Sequence, residues 1–73
     1  MQGSLKAMEI KERFGKSVRE LRQAKGISQE ELAMRIGADQ AYVSRIEAGQ
    51  MNVTLETLEQ IAIALQSEAS ALV

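Results

Sequence analysis

Apolar residues recur along this chain at spacings of three and four, interrupted by glycines that divide it into short amphipathic runs. Ile10, Phe14, Val18 and Leu21 form the first stripe, with Lys11, Glu12, Arg13, Lys16, Arg19 and Glu20 between them, which predicts a helix closed at Gly26. Ser28-Gln29-Glu30-Glu31 is a second start, where the Ser28 hydroxyl is placed to cap the Glu31 amide and the Glu31 carboxylate to answer the Ser28 amide. The helix it opens is short, with Leu32, Ala33 and Ile36 inward and Gly37 as its stop. Asp39 caps the next, Gln40 to Ala48, with Val43 and Ile46 inward and Gly49 as its end. Thr54 begins a fourth, in which Leu55, Leu58, Ile61, Ala62 and Leu65 share one side. The segment Ser67 to Val73 has room for roughly one or two turns more, with Leu72 and Val73 its large apolar residues. Residues 1–8 show no clear period and read as a flexible leader, leaving 9–73 as one domain. The expected architecture is all-α, a compact five-helix bundle without strands or internal repeats.

Composition narrows the choice of function. A domain of 73 residues hides only about 60% of the surface of its unfolded chain, so its stability margin is thin. The absence of cysteine and histidine removes disulfides, zinc sites and most metal sites as staples, and oligomerisation is the remaining aid. No apolar stretch approaches a membrane span and no signal-peptide pattern opens the chain, so the expected location is cytoplasmic, with no membrane partner. Without His, Cys or a glycine-rich phosphate loop, acid–base and nucleophilic chemistry have few candidates; neither an enzyme, a cofactor nor a small-molecule ligand is expected. The net charge of −1 by itself speaks against a nucleic-acid partner. Its distribution changes the picture, because all nine Lys and Arg lie within residues 1–45 against six acids, while residues 46–73 hold four acids and no base. The basic part can lie near phosphates while the acidic part faces away or meets a different partner.

The second and third helices, joined through Gly37, Ala38 and Asp39, have the dimensions of a helix-turn-helix corner. Ala33 must be small where the next helix crosses it, Gly37 supplies a positive φ, and Val43 and Ile46 fill the angle. At 100° per residue, Gln40, Ala41, Ser44, Arg45 and Ala48 share the outward face of the third helix. Glutamine and arginine are the side chains that pair with base edges, Gln with adenine and Arg with guanine, and small neighbours let the backbone approach a groove. A merely solvated face would more commonly carry Glu and Lys four apart. The residues alone leave both a DNA-reading face and a solvated helix open.

The run KGISQEELAMRIGADQAYVSRIEAGQMNVTLETLEQIAIAL carries Leu21-Arg22, Gly26-Ile27-Ser28-Gln29, Glu31-Leu32-Ala33, Gly37, Tyr42-Val43-Ser44, Ile46-Glu47, Gly49 and Thr54-Leu55 in order. With that spacing the chain resembles the helix-turn-helix family of the phage repressors and Cro proteins, also called the XRE family, over Phe14 to Val73. The resemblance implies a lambda-repressor-like fold and a sequence-specific DNA-binding transcription regulator whose partner is double-stranded DNA, read by the third helix in the major groove. It implies base reading by Gln40, Ala41, Ser44 and Arg45, with Gln40 and Arg45 discriminating most. Gln29 would bind a phosphate and brace Gln40, while Ser28, Gln50, Asn52 and Thr54 would supply further phosphate contacts. Many relatives carry Lys or Arg in the clamping loop where this chain has Gln50 and Met51, which implies a shallower salt dependence. Arg22 and Glu47 match a structural salt bridge joining the first helix to the end of the third.

One recognition helix reads too few base pairs to single out a genomic site, so a homodimer on a palindromic operator is expected. The small size and the run Asn52-Val53-Thr54-Leu55 look like the controller proteins of restriction–modification systems, which dimerise through their last helices. By that resemblance the dimer interface would use Leu65, Leu72 and Val73. The competing reading is a protein-binding helical module, such as an antitoxin or adaptor, gripping its partner with the acidic C-terminal half.

Overall fold

The computed structural model describes the backbone of residues 2–66 and the side chains of residues 10–66. Within them lie four helices, α1 (Gln2–Ala24), α2 (Gln29–Ile36), α3 (Gln40–Glu47) and α4 (Leu55–Ala64). The expected fifth helix, with Leu72 and Val73, falls outside the described residues. α1 begins at Gln2, so the stretch read from sequence as a leader continues the helical backbone of α1. Leu5, Lys6, Ala7, Met8 and Glu9 are good helix formers and no proline stops them, although they add no apolar stripe that periodicity would register.

Capping fixes the helix boundaries. Ser28, Asp39 and Thr54 each sit in extended conformation and accept the amide three residues on, from Glu31 at 3.0 Å, Tyr42 at 2.9 Å and Thr57 at 3.1 Å. The reciprocal half of the expected capping box is absent, because the Glu31 carboxylate turns along α2 to accept Arg35 Nε at 3.0 Å. Arg35 also donates to the Ala64 carbonyl at 3.0 Å, fastening α2 to the last turn of α4. At the other end of α2, Gly37 has φ +71. That conformation lets Ala38 N reach Ala33 O at 2.8 Å and Gly37 N reach Met34 O at 3.3 Å, so the chain reverses sharply into α3.

One core joins the four elements. Phe14 and Val18 from α1, Leu32 and Ala33 from α2, Val43 and Ile46 from α3, and Ile61, Ala62 and Leu65 at the α4 end are buried together. α1 packs on α3, and α2 packs on both α3 and α4. Two members of the expected stripes depart from this pattern: Ile10 and Leu55 are 51% and 83% exposed. They stand at the rim of a shallow apolar depression floored by Phe14, Met51, Val53 and Leu58, where the chain runs out of core depth. Leu65, expected at a dimer interface, has no exposed surface and closes the core. Leucine at the α4 C-cap turns inward because the core below it still needs apolar volume, and it offers no surface to a second protomer. No helix among the described residues is long and apolar enough to cross a membrane.

Candidate nucleic-acid interface

The corner made by α2, the Gly37 turn and α3 turns one side of α3 outward. Val43 and Ile46 enter the core, Tyr42 is half-buried, and Gln40, Ala41, Ser44, Arg45 and Ala48 are exposed. The residues expected to read bases therefore share a clear surface, with no helix of the described chain lying over it. The Arg45 guanidinium pairs with none of the described residues and is free to reach an external acceptor. Two small residues, Ala41 and Ala48, flank the longer side chains, which leaves the helix backbone approachable from outside.

Behind this face runs a continuous hydrogen-bonded chain. Arg22, buried at the end of α1, donates from Nε to Glu47 Oε2 at 2.6 Å and from Nη2 to Glu47 Oε1 at 3.1 Å, a two-pronged ion pair between α1 and α3. Its Nη1 donates to the Ile27 carbonyl at 2.8 Å, which holds the α1–α2 turn to the same guanidinium. The Glu47 hydrogen bond, with help from its charge, holds Arg22 still more firmly protonated than usual and outweighs the opposing effect of burial. Glu47 Oε1 accepts a third bond from Gln29 Nε2 at 3.0 Å, and Gln29 Oε1 in turn accepts from Gln40 Nε2 at 3.4 Å. No buried side-chain nitrogen or oxygen among the described residues lacks a partner. Gln29 thus lies between the core ion pair and the outermost glutamine of α3.

The Ser28 and Thr54 hydroxyls are already engaged as helix caps, and both residues remain exposed at helix starts. Ser28 and Gln29 stand beside Gln40, at the positive end of α2. In the α3–α4 loop, Gln50 and Asn52 are exposed, whereas Met51 packs against the core.

Sequence reasoning missed two contributors. Gly15 is buried at the crossing of α1 and α3, where an added Cβ would overlap the Ile46 carbonyl oxygen and lie 2.8 Å from that of Glu47. Its signal was present: a glycine inside an amphipathic helix is unfavourable by about 1 kcal/mol against alanine, and that penalty commonly marks close backbone approach. The other is the Glu47–Gln29 contact, which joins residues on different helices and leaves no trace in local spacing.

Residues 18–72 match the family model described as helix-turn-helix. The chain is 45% identical over 58 residues to control protein C.MunI of a Mycoplasma species, covering 78% of each protein. It is 43% identical over 53 residues to control protein C.BamHI of Bacillus amyloliquefaciens, covering 71% of this chain and 65% of that protein. Among solved structures, the restriction-modification controller protein C.AhdI from Aeromonas hydrophila superposes with a TM-score of 0.86 at 44% identity, over 90% of this chain and 96% of that one.

Proposed function

Because the chain belongs to the helix-turn-helix family, we propose that it is a DNA-binding transcription regulator that lays α3 in the major groove. The observation carrying this reading is the exposed face of Gln40, Ala41, Ser44 and Arg45, backed by the Gln29–Gln40 contact. Gln40 and Arg45 supply the paired donors and acceptors that distinguish base edges, Ala41 offers a methyl contact to thymine, and Ser44 adds a short hydroxyl. Gln29, Ser28, Gln50, Asn52 and Thr54 form the phosphate-contacting rim on either side. Among them stand no lysine and no arginine, so binding is expected to weaken only gently with salt.

The protein acts as a homodimer on a palindromic operator, with recognition helices about 34 Å apart. In place of the buried Leu65, Ile63 offers the apolar surface at this end of α4, being 69% exposed. It would join Leu72 and Val73 in the contact between protomers. The similarity to control proteins, including the controller from Aeromonas hydrophila, supports control of a restriction–modification system as the setting. The test is selection of bound fragments from a random duplex library, followed by anisotropy titration of the enriched sequence over a range of salt. A two-fold symmetric motif bound below about micromolar supports the reading. Failure to enrich any motif, with a protein partner co-purifying instead, would replace it by a protein-binding module.

A further inference from the structure

A carboxylate can only accept hydrogen bonds, whereas an amide donates at one end and accepts at the other. Glu47 is held by Arg22 through both of its oxygens, and its side chain is only 4% exposed. The Gln29 amide therefore has to turn its nitrogen toward Glu47 Oε1; reversed, it would set two acceptors against each other at a separation of 3.0 Å. Gln29 Oε1 is left facing α3, and Gln40 must answer with its own nitrogen, as the Nε2 to Oε1 contact of 3.4 Å shows. One N–H of Gln40 is thereby engaged. Its second N–H and its Oε1 remain at the exposed face as an adjacent donor and acceptor.

Adenine presents an N7 acceptor beside an N6 donor in the major groove, which matches that pair; guanine presents two acceptors and leaves Gln40 Oε1 opposed to O6. We propose that Glu47, acting through Gln29, sets the hydrogen-bonding polarity of Gln40 and so makes one operator position select adenine over guanine. Glu47 touches no DNA in this arrangement; it is a positioning residue, one end of a polarity relay from the core ion pair to the groove-facing surface. The proposal rests on the reading of α3 as the base-reading helix.

Library-selected operators identify the position read by Gln40 as the one whose preference disappears in Gln40→Ala. Adenine there is expected to bind wild-type protein roughly tenfold more tightly than guanine. In Glu47→Gln the new amide can donate as well as accept, Gln29 is released from a single orientation, and the ratio is expected to fall to about twofold or less. Loss of folded protein would lower both affinities together and leave their ratio unchanged, so the ratio separates positioning from simple destabilisation. In a Gln29→Ala background, Glu47→Gln is expected to change the ratio no further. An undiminished ratio in Glu47→Gln, or an additional drop in that background, would overturn the proposal. Nitrogen-15 spectra of the wild-type protein supply a reading that needs no variant and no DNA. The Gln29 side-chain amide protons are expected to be shifted and slow to exchange, and signals like those of a free glutamine would overturn the relay. Wild-type protein that enriches no sequence overturns the DNA reading and the relay with it, whereas a variant that keeps the adenine preference overturns the part assigned to Glu47 alone.

Discussion

Gly15 shows how a single hydrogen atom sets the distance between α1 and α3. Alanine there would gain about 1 kcal/mol of helix propensity, but its methyl group would meet backbone carbonyls of Ile46 and Glu47, which cannot swing aside as a side chain could. Overpacking of this kind is unfavourable by about 1–3 kcal/mol, and without a flexible neighbour the upper part of that range applies. Gly15→Ala is thus expected to destabilise the fold by about 1–2 kcal/mol net, measured by urea unfolding. A rise in the unfolding midpoint would show that the two helices part more easily than their contact suggests. Arg45 presents the opposite case, an exposed side chain with no partner in the described chain. Arg45→Ala should leave the unfolding midpoint within about 0.5 kcal/mol of wild type. The same change should weaken operator binding by about 1–3 kcal/mol and relax preference at one base position. Anisotropy titrations on operator and scrambled duplexes measure both effects, and unchanged discrimination would remove Arg45 from the reading surface.

At the scale of elements, three consecutive helices begin in the same way, each with a short oxygen-bearing side chain on the amide three residues ahead. The cap matters most at Asp39, because it decides where α3 starts and therefore where Gln40 stands relative to Gln29. Asp39→Ala removes the 2.9 Å bond to the Tyr42 amide. The expected loss is about 1 kcal/mol, or a fall in Tm of about 4–8 °C for a domain of this size. Asn at the same position can accept that bond and should recover most of the loss. Recovery by neither Asn nor Ser in a calorimetric scan would mean that the charge of Asp39, and not the cap, was responsible. These caps were readable in advance because they depend on neighbours three residues apart. The fate of the Glu31 carboxylate was not: it had two partners within reach, and Arg35, itself anchored on the Ala64 carbonyl, took it.

For the whole molecule, the division of charge and the exposed apolar residues of α4 belong to one arrangement. The segment from Ile46 onward carries only acids, and the basic residues lie before it. In the dimer proposed above, contact through the α4 end would leave the acidic portions away from phosphate. Among the described residues, Ile63 is the exposed large apolar residue there. Ile63→Asp should shift the protein toward monomer without disturbing its core, since the side chain is already mostly in solvent. Sedimentation equilibrium at micromolar protein is the measurement, and an unaltered mass would reject this face as the interface. The monomer is expected to bind operator far more weakly, because joining two half-sites on one duplex is what raises affinity.

The sequence by itself determined the starts of α2, α3 and α4, the glycine-closed turns, the corner of α2 and α3, and the outward set of Gln40, Ala41, Ser44 and Arg45. All of these follow from interactions within a few residues along the chain, so spacing alone records them. Only the tertiary structure decided that Leu65 seals the core, that Ile10 and Leu55 remain at the surface, that Gly15 permits the α1–α3 crossing, and that Glu47 reaches Gln29. Those outcomes depend on how much buried volume the other helices leave unfilled and on which side chains meet across them, and a period of 3.6 carries no information about either.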